Sequence, residues 1–436
     1  MSLPRVLGGL EAATVVVGSM IGSGIFLKAS GMAQLLPHPP LILACWLLAG
    51  LLTLSGALVI AELSVHFPGS GGVYLFLREA YGPRVAFLFG WSLLAILQSG
   101  SIAGLACGLA QTLAEGRSWT PVTQQLLAFL VIACLTGLHC VSVSLGARTL
   151  QNGLTMIKYL GLVGLVLLGL TSGQAEWGNL TGVGPVPEWT LLLPALGAIV
   201  LKSLWAYDGW ANATFIAGEV RNAERNLPRA LVGGTLLVVV AYLAINGAYH
   251  LVLSPTELAA ARSPAVAMAQ ACAGSSLATA TGLLLALSML GTLNSSILSA
   301  PRVYYSMAQM GEFPAWMGAI SRFQTPYRAL IAQGVWAAAL VMFWKSFDKI
   351  TDNVVFVYWI FYALGALAVL KFPPPAVGYR APWRQGLVAF FVTGAGFLVV
   401  SQLLQQPTAS LQALALLVMG NVFYSGSSPS RASQSK

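Results

Sequence analysis

Charge is what this chain has least of. Of its 436 residues only 8% are Asp, Glu, Lys or Arg, where soluble domains carry about a quarter. With 57% of residues hydrophobic, a water-soluble domain of this size has too few charges to solvate its surface, and an integral membrane protein is expected. Cysteine is also scarce. Cys45, Cys107, Cys134, Cys140 and Cys272 fall in or beside apolar runs without metal-ligand spacing, which reads as packing thiols rather than a disulfide framework or a metal site. The four histidines, His38, His66, His139 and His250, scatter near the ends of apolar runs with no HExxH or Ser-His-Asp arrangement, so a membrane enzyme finds no support. Neither a repeated filter sequence nor a charged ring marks a channel. No metal or cofactor is expected, and the net charge of +9 is dispersed over short loops, a pattern that fits membrane orientation better than a nucleic-acid partner.

What the chain does have is long apolar runs. A membrane-crossing helix needs about 20 apolar residues, and twelve runs qualify: Leu10–Leu36, Leu41–His66, Val85–Leu113, Val122–Val141, Leu150–Thr171, Leu191–Ala217, Ala230–Leu253, Ser276–Met310, Ala329–Phe347, Asn353–Phe372, Gly386–Leu404 and Ser410–Phe423. The first lacks a clear cleavage site and is read as a retained span, so 1–436 forms one membrane domain with short tails. With the N-terminus inside, inner loops and tails hold fifteen Lys and Arg, among them Arg78, Arg302, Arg384, Arg431 and Lys436; outer loops hold four, Arg117, Arg262, Lys345 and Lys349. That bias places both termini in the cytoplasm.

Two runs are interrupted. Val17 to Phe26 carries three glycines and two serines, and Leu204-Trp205-Ala206-Tyr207-Asp208-Gly209-Trp210 breaks a second run about half a chain later. A glycine cluster alone indicates close helix packing. Paired interruptions in corresponding halves point instead to a transporter's midplane binding site. Where a helix unwinds, the inner half offers amide N–H groups at its N-terminus to a carboxylate, and the outer half offers carbonyls to an ammonium. A zwitterion such as an α-amino acid needs both. Three lysines also fall within apolar runs. Lys28 is placed to snorkel outward, and Lys202 lies near the second break, about 240° around a continuous helix from Asp208. Lys158 sits roughly 15 Å into the fifth run, near the midplane, where an ammonium is costly and functional by default.

Gly18 to Phe26, Ala61-Glu62-Leu63, Pro68 to Gly72 with Tyr74, Gly82-Pro83 with Trp91, Leu204 to Trp210, Ala217-Gly218-Glu219-Val220, Arg225 to Arg229 and Leu287 to Arg302 with Gly311 and Pro314 together resemble the amino acid–polyamine–organocation (APC) transporters. The likeness is greatest to bacterial relatives of the L-type amino acid transporter (LAT) light chains. The motifs keep the family order from the first run to beyond the eighth. The resemblance implies an all-α, leucine-transporter-type fold: 12 transmembrane helices, a 5+5 inverted repeat (residues 10–172 and 190–372) with helices 1 and 6 broken, and two extra helices at 386–424.

It also implies a site. Gly22, Ser23 and Gly24 would meet the substrate carboxylate, with Ile21 in the same stretch. Carbonyls near Ser19, Trp205, Ala206 and Asp208 would meet its ammonium, and Trp205 and Trp359 would gate it. Lys158 would stand in for a sodium ion, linking the Gly22 region to Ser296. The implied activity is sodium-independent alternating access for small or medium neutral L-amino acids, as an exchanger or, alternatively, a proton-coupled symporter; a non-transporting receptor or scaffold is the rival class. The implied setting is the lipid bilayer of a bacterial inner membrane. The Ala114–Pro121 loop has no cysteine, so the light chains' disulfide to a heavy chain is not expected.

Overall fold

The computed structural model describes residues 3–114, 117–143, 145–181, 186, 188–343 and 347–424; Lys345, Arg431 and Lys436 lie outside them. The described chain is almost wholly helical, and its one strand-like contact is an isolated parallel bridge between Leu7 and Val220. Long apolar stretches leave a backbone no partner but itself in lipid, which selects helices. Among the described residues nine helical stretches are long and apolar enough to cross a membrane, and three shorter apolar helices, Tyr327–Met342, Val355–Lys371 and Ser410–Phe423, coincide with the expected ninth, tenth and twelfth.

In chain order the apolar helices are α1 (Gly9–Met20 and Gly24–Leu35, its halves α1a and α1b), α2 (Pro39–His66), α3 (Pro83–Ala114), α4 (Pro121–Val141), α5 (Leu145–Thr171), α6 (Trp189–Tyr207, then the single turn Asn212–Phe215), α7 (Ala223–Val252), α8 (Pro264–Ser299, continued by Pro301–Gln309), α9 (Tyr327–Phe343), α10 (Phe347–Ala368), α11 (Arg384–Gln405) and α12 (Pro407–Phe423). α8 starts earlier than hydropathy suggests because the helix runs through a kink at Gly274, where φ is 77°. Among the described residues, π-helical turns interrupt the ladder at Leu93–Leu97 within α3 and at Leu145–Gln151 at the start of α5.

The broken helices form the centre. α7 packs along α2 and α1a, while α8 packs along α3 and α5. Gly24 lets α1b and α6 cross in contact, since a Cβ there would lie 2.7 Å from Ala206 Cα. Away from the breaks, ion pairs tie neighbouring segments among the described residues: Arg302–Glu219 at 2.7 Å, Arg78–Glu312 at 2.7 Å, Arg384–Glu62 at 3.1 Å and Arg148–Glu11 at 3.5 Å. Tyr74 donates to Glu312 as well (2.6 Å), and burial followed by that neighbouring carboxylate holds its hydroxyl well above the ordinary phenol range. Arg302, counted among the loop charges, is in fact fully buried in its pair with Glu219. Lys28 does not snorkel either; it is only 4% exposed.

Candidate functional site

The α1 break is short. Ile21 leaves the helix at ψ 85°, and the helix resumes at Gly24. Its sense corrects the simple inner–outer expectation. α1a ends at the break and presents carbonyls, and it is α1b, starting there, that presents N–H groups. The Gly22 N–H already donates to Met20 O (2.8 Å), whereas the Ser23 and Gly24 N–H groups take no backbone acceptor among the described residues. At the second break Asp208 closes α6 by donating its N–H to Trp205 O (3.2 Å). Gly209 follows at φ +94°, where a Cβ would meet Ser19 Cβ at 2.7 Å, so only glycine carries the chain past α1 here.

Lys158 fills the space between α1 and α8. Its ammonium donates to Gly18 O (2.5 Å), Ile21 O (2.6 Å) and Thr292 Oγ1 (3.3 Å). All three protons are used, which offsets the cost of holding this group fully buried. The α8 partner is therefore Thr292, not the expected Ser296, and the α1 partners are Gly18 and Ile21 rather than Gly22. The ladder continues along α8. Ser288 donates to Ile21 O and Gly22 O (3.0 and 3.3 Å), Thr292 lies 3.0 Å from both Gly18 O and Ile21 O, and Ser295 meets the Ser19 hydroxyl at 2.6 Å.

Between the two breaks, α3 and α8 lies a small cleft lined mostly by polar side chains and glycine. Ser19, Gly22, Ser23, Gly24, Trp205 and Asp208 line it, as does Ser296. Ile21 and Ala206 do not. The Ile21 carbonyl is held by Lys158 and the α8 hydroxyls, and the Ala206 carbonyl accepts from Tyr242 (3.0 Å), whose hydroxyl also lies 2.7 Å from Met20 O. Trp359 is likewise displaced from its expected place over the site; its ring stacks on Phe391 of α11 at 4.9 Å. Trp205, 8% exposed, stays at the cleft wall.

Several residues were missed from sequence. Thr292 and Ser288 are one turn apart in the α8 stripe, and Tyr242 shares a seven-residue spacing with Tyr249, whose hydroxyl reaches Ile25 O (3.4 Å). Both spacings are signals of a common helix face. Asn212 donates to the Ser19 hydroxyl (3.3 Å), and Gln98, Ser101 and Leu105 line the cleft from α3; a lone amide in an apolar run gave no comparable signal.

Two helices broken side by side around a polar cleft, inside a bundle of apolar helices, define a membrane transporter rather than an enzyme. The whole-chain fold is also that of a solved transporter structure, MhsT in complex with L-phenylalanine (TM-score 0.57, 16% identity, covering 94% of this chain and 100% of that one). The amino acid permease family model matches residues 7–424, and the chain belongs to that family. It is 29% identical to the serine/threonine exchanger SteT of Bacillus subtilis (99% of this chain, 98% of the relative), 30% identical to the mouse b(0,+)-type amino acid transporter 1 (97% and 88%) and 28% identical to the human Asc-type amino acid transporter 1 (98% and 83%). It is a multi-pass membrane protein and an amino acid transporter.

Proposed function

We propose that the chain exchanges small or medium neutral L-amino acids by alternating access, without sodium, in a bacterial inner membrane with both termini cytoplasmic. The observation that carries this reading is the Lys158 ammonium, held by Gly18 O, Ile21 O and Thr292 between α1 and α8. A fixed cation between two helix backbones does the electrostatic work of a bound one, so no second cation is needed there. The Ser23 and Gly24 amides suit the substrate carboxylate, and the end of α6 with the Asp208 side chain suits its ammonium. Exchange and small substrates are supported by the names of the relatives, a serine/threonine exchanger among them. The chain is proposed to act without a heavy chain, and its helices to follow a 5+5 inverted repeat.

A specific observation favours the proton-coupled reading as second. Asp208 lines the cleft, and no lysine or arginine pairs with it among the described residues, which leaves it open to carrying a proton with the substrate. Counterflow in proteoliposomes separates the two. Purified protein alone should take up a labelled amino acid only when an unlabelled one is inside. Uptake driven by an imposed pH gradient with an empty lumen would replace exchange by symport, and activity appearing only with an added single-span partner would remove the heavy-chain-free reading.

A further inference from the structure

α3 contributes an unspent hydrogen-bonding group to the cleft. Gln98 follows directly on the π-helical turn Leu93–Leu97, whose extra residue turns the next side chains away from a regular α-helical register. It is only 2% exposed. The hydroxyl of Tyr358 on α10 donates to Gln98 Oε1 at 2.7 Å, and the Tyr358 ring is itself stacked on Tyr362 with centroids 5.2 Å apart. The amide is therefore held by its oxygen. Its Nε2, with two N–H donors, is buried without a partner among the described residues. Buried orphan donors are uncommon and call for an explanation, and this one lies at the wall of the substrate cleft.

Ser101 lies one turn further along α3 and lines the same cleft, on the same helical face as Gln98. Its hydroxyl proton is committed to Leu97 O (2.8 Å), so it has only lone pairs left to offer. α3 thus supplies one donor and one acceptor side by side. If the breaks of α1 and α6 meet the main-chain groups of an α-amino acid, as proposed above, its side chain is left to the rest of the lining, where Gln98 and Ser101 stand with Leu105 on α3 across from Thr292 and Ser296 on α8. A hydroxyl accepts and donates at once and matches both groups; a methyl matches neither.

We propose that Gln98, with Ser101, reads the substrate side chain, and that the transporter selects α-amino acids bearing a side-chain hydroxyl. This rests on the amino acid exchange proposed above. The test uses threonine and valine, which have the same shape and differ by hydroxyl against methyl. In proteoliposomes, the wild-type protein should take up L-threonine over L-valine by about tenfold or more, because a site built to bond a hydroxyl is left unpaired by its apolar isostere. Gln98→Leu should lower that ratio to within about threefold by slowing threonine while sparing valine. Ser101→Ala, a smaller change that leaves the Tyr358 contact alone, should lower it in the same direction. A general packing defect would slow both substrates and leave the ratio intact. Equal uptake of threonine and valine by the wild-type protein, or an unchanged ratio in both variants, would overturn the assignment while leaving the exchanger standing. Absence of any amino acid uptake by the wild-type protein would overturn the exchanger itself.

Discussion

Lys158 carries the strongest argument available to a single residue. An unpaired ammonium at the midplane is expensive enough that its presence alone signals function, and the structure gives it three acceptors. Its α8 partner was less legible. Thr292 and Ser296 are four residues apart, share a helix face, and offer the same hydroxyl chemistry, so nothing in the sequence ranks one above the other. Trp359 was misplaced for a similar reason, since an apolar helix buries aromatic rings on several faces and its ring went to Phe391. The geometry now orders the variants. Lys158→Ala should lower turnover at least tenfold in proteoliposomes, since losing hydrogen bonds to a charged group costs roughly 1.5–3 kcal/mol each and shifts a two-state equilibrium accordingly. Substrate-induced thermal stabilisation should survive. Thr292→Val should act in the same direction more weakly and combine with Lys158→Ala less than additively, whereas Ser296→Ala should leave the Lys158 contact untouched. A Lys158→Ala protein with normal turnover, or an additive double variant, argues against the bridge.

At the scale of elements, both breaks were legible because glycine with serine in the first run, and Asp208-Gly209 in the second, interrupt otherwise apolar sequence, and lipid tolerates no such interruption without a cavity to line. The π-turns in α3 and α5 were not legible. Leu93–Leu97 is as apolar as its neighbours, and an extra residue in a turn leaves no mark on hydropathy. The extent of the second half of α6 was hidden too, as Trp210 to Ala217 is mostly apolar, with only Asn212 and Thr214 polar, yet yields one α-turn, Asn212–Phe215, before a 3₁₀ turn. Gly209 tests the break directly. Alanine there must adopt φ +94° and place its Cβ 2.7 Å from Ser19 Cβ, so Gly209→Ala should abolish substrate-induced stabilisation and transport together. Gly233 provides the contrast, lying inside α7 with nothing within 4 Å of an added Cβ. Gly233→Ala should raise stability by about 0.8–1 kcal/mol, the helix-propensity difference, and leave transport unchanged. If both variants behave alike in a thermal-shift assay with and without substrate, the break has no special geometry.

For the whole molecule the question is what holds one face of the bundle shut. If Lys158 supplies the only cation required, replacing sodium by choline should leave the exchange rate unchanged, and a steep sodium dependence would remove that role. Other contacts join the bundle where the segment before α1 meets the turn after α6. Leu7 N–H donates to Glu219 O (2.9 Å) and Arg221 N–H to Leu7 O (2.8 Å), which joins the segment before α1 to the turn after α6. Arg302, at the end of α8, then clasps the Glu219 carboxylate through Nε (2.7 Å) and Nη2 (3.4 Å), with Nη1 on Leu298 O (2.5 Å). Both side chains are fully buried. Such a pair adds little net stability over apolar packing, but losing one partner strands a buried charge at a cost of about 3–5 kcal/mol. Glu219→Gln should therefore lower the thermal midpoint of the purified protein markedly, with Arg302→Met doing the same. Combining the two should restore much of the loss, since no unpaired charge then remains. If cargo leaves by parting these contacts, as the proposed exchange requires of one face, the stable double variant should still exchange amino acids but spend less time closed on this face, read as faster alkylation of the cysteine in Val220→Cys, a smaller side chain at a fully buried position. Equal midpoints for single and double variants would mean that the pair is solvated in the working protein, and unchanged alkylation in the double variant would mean that the closure lies elsewhere.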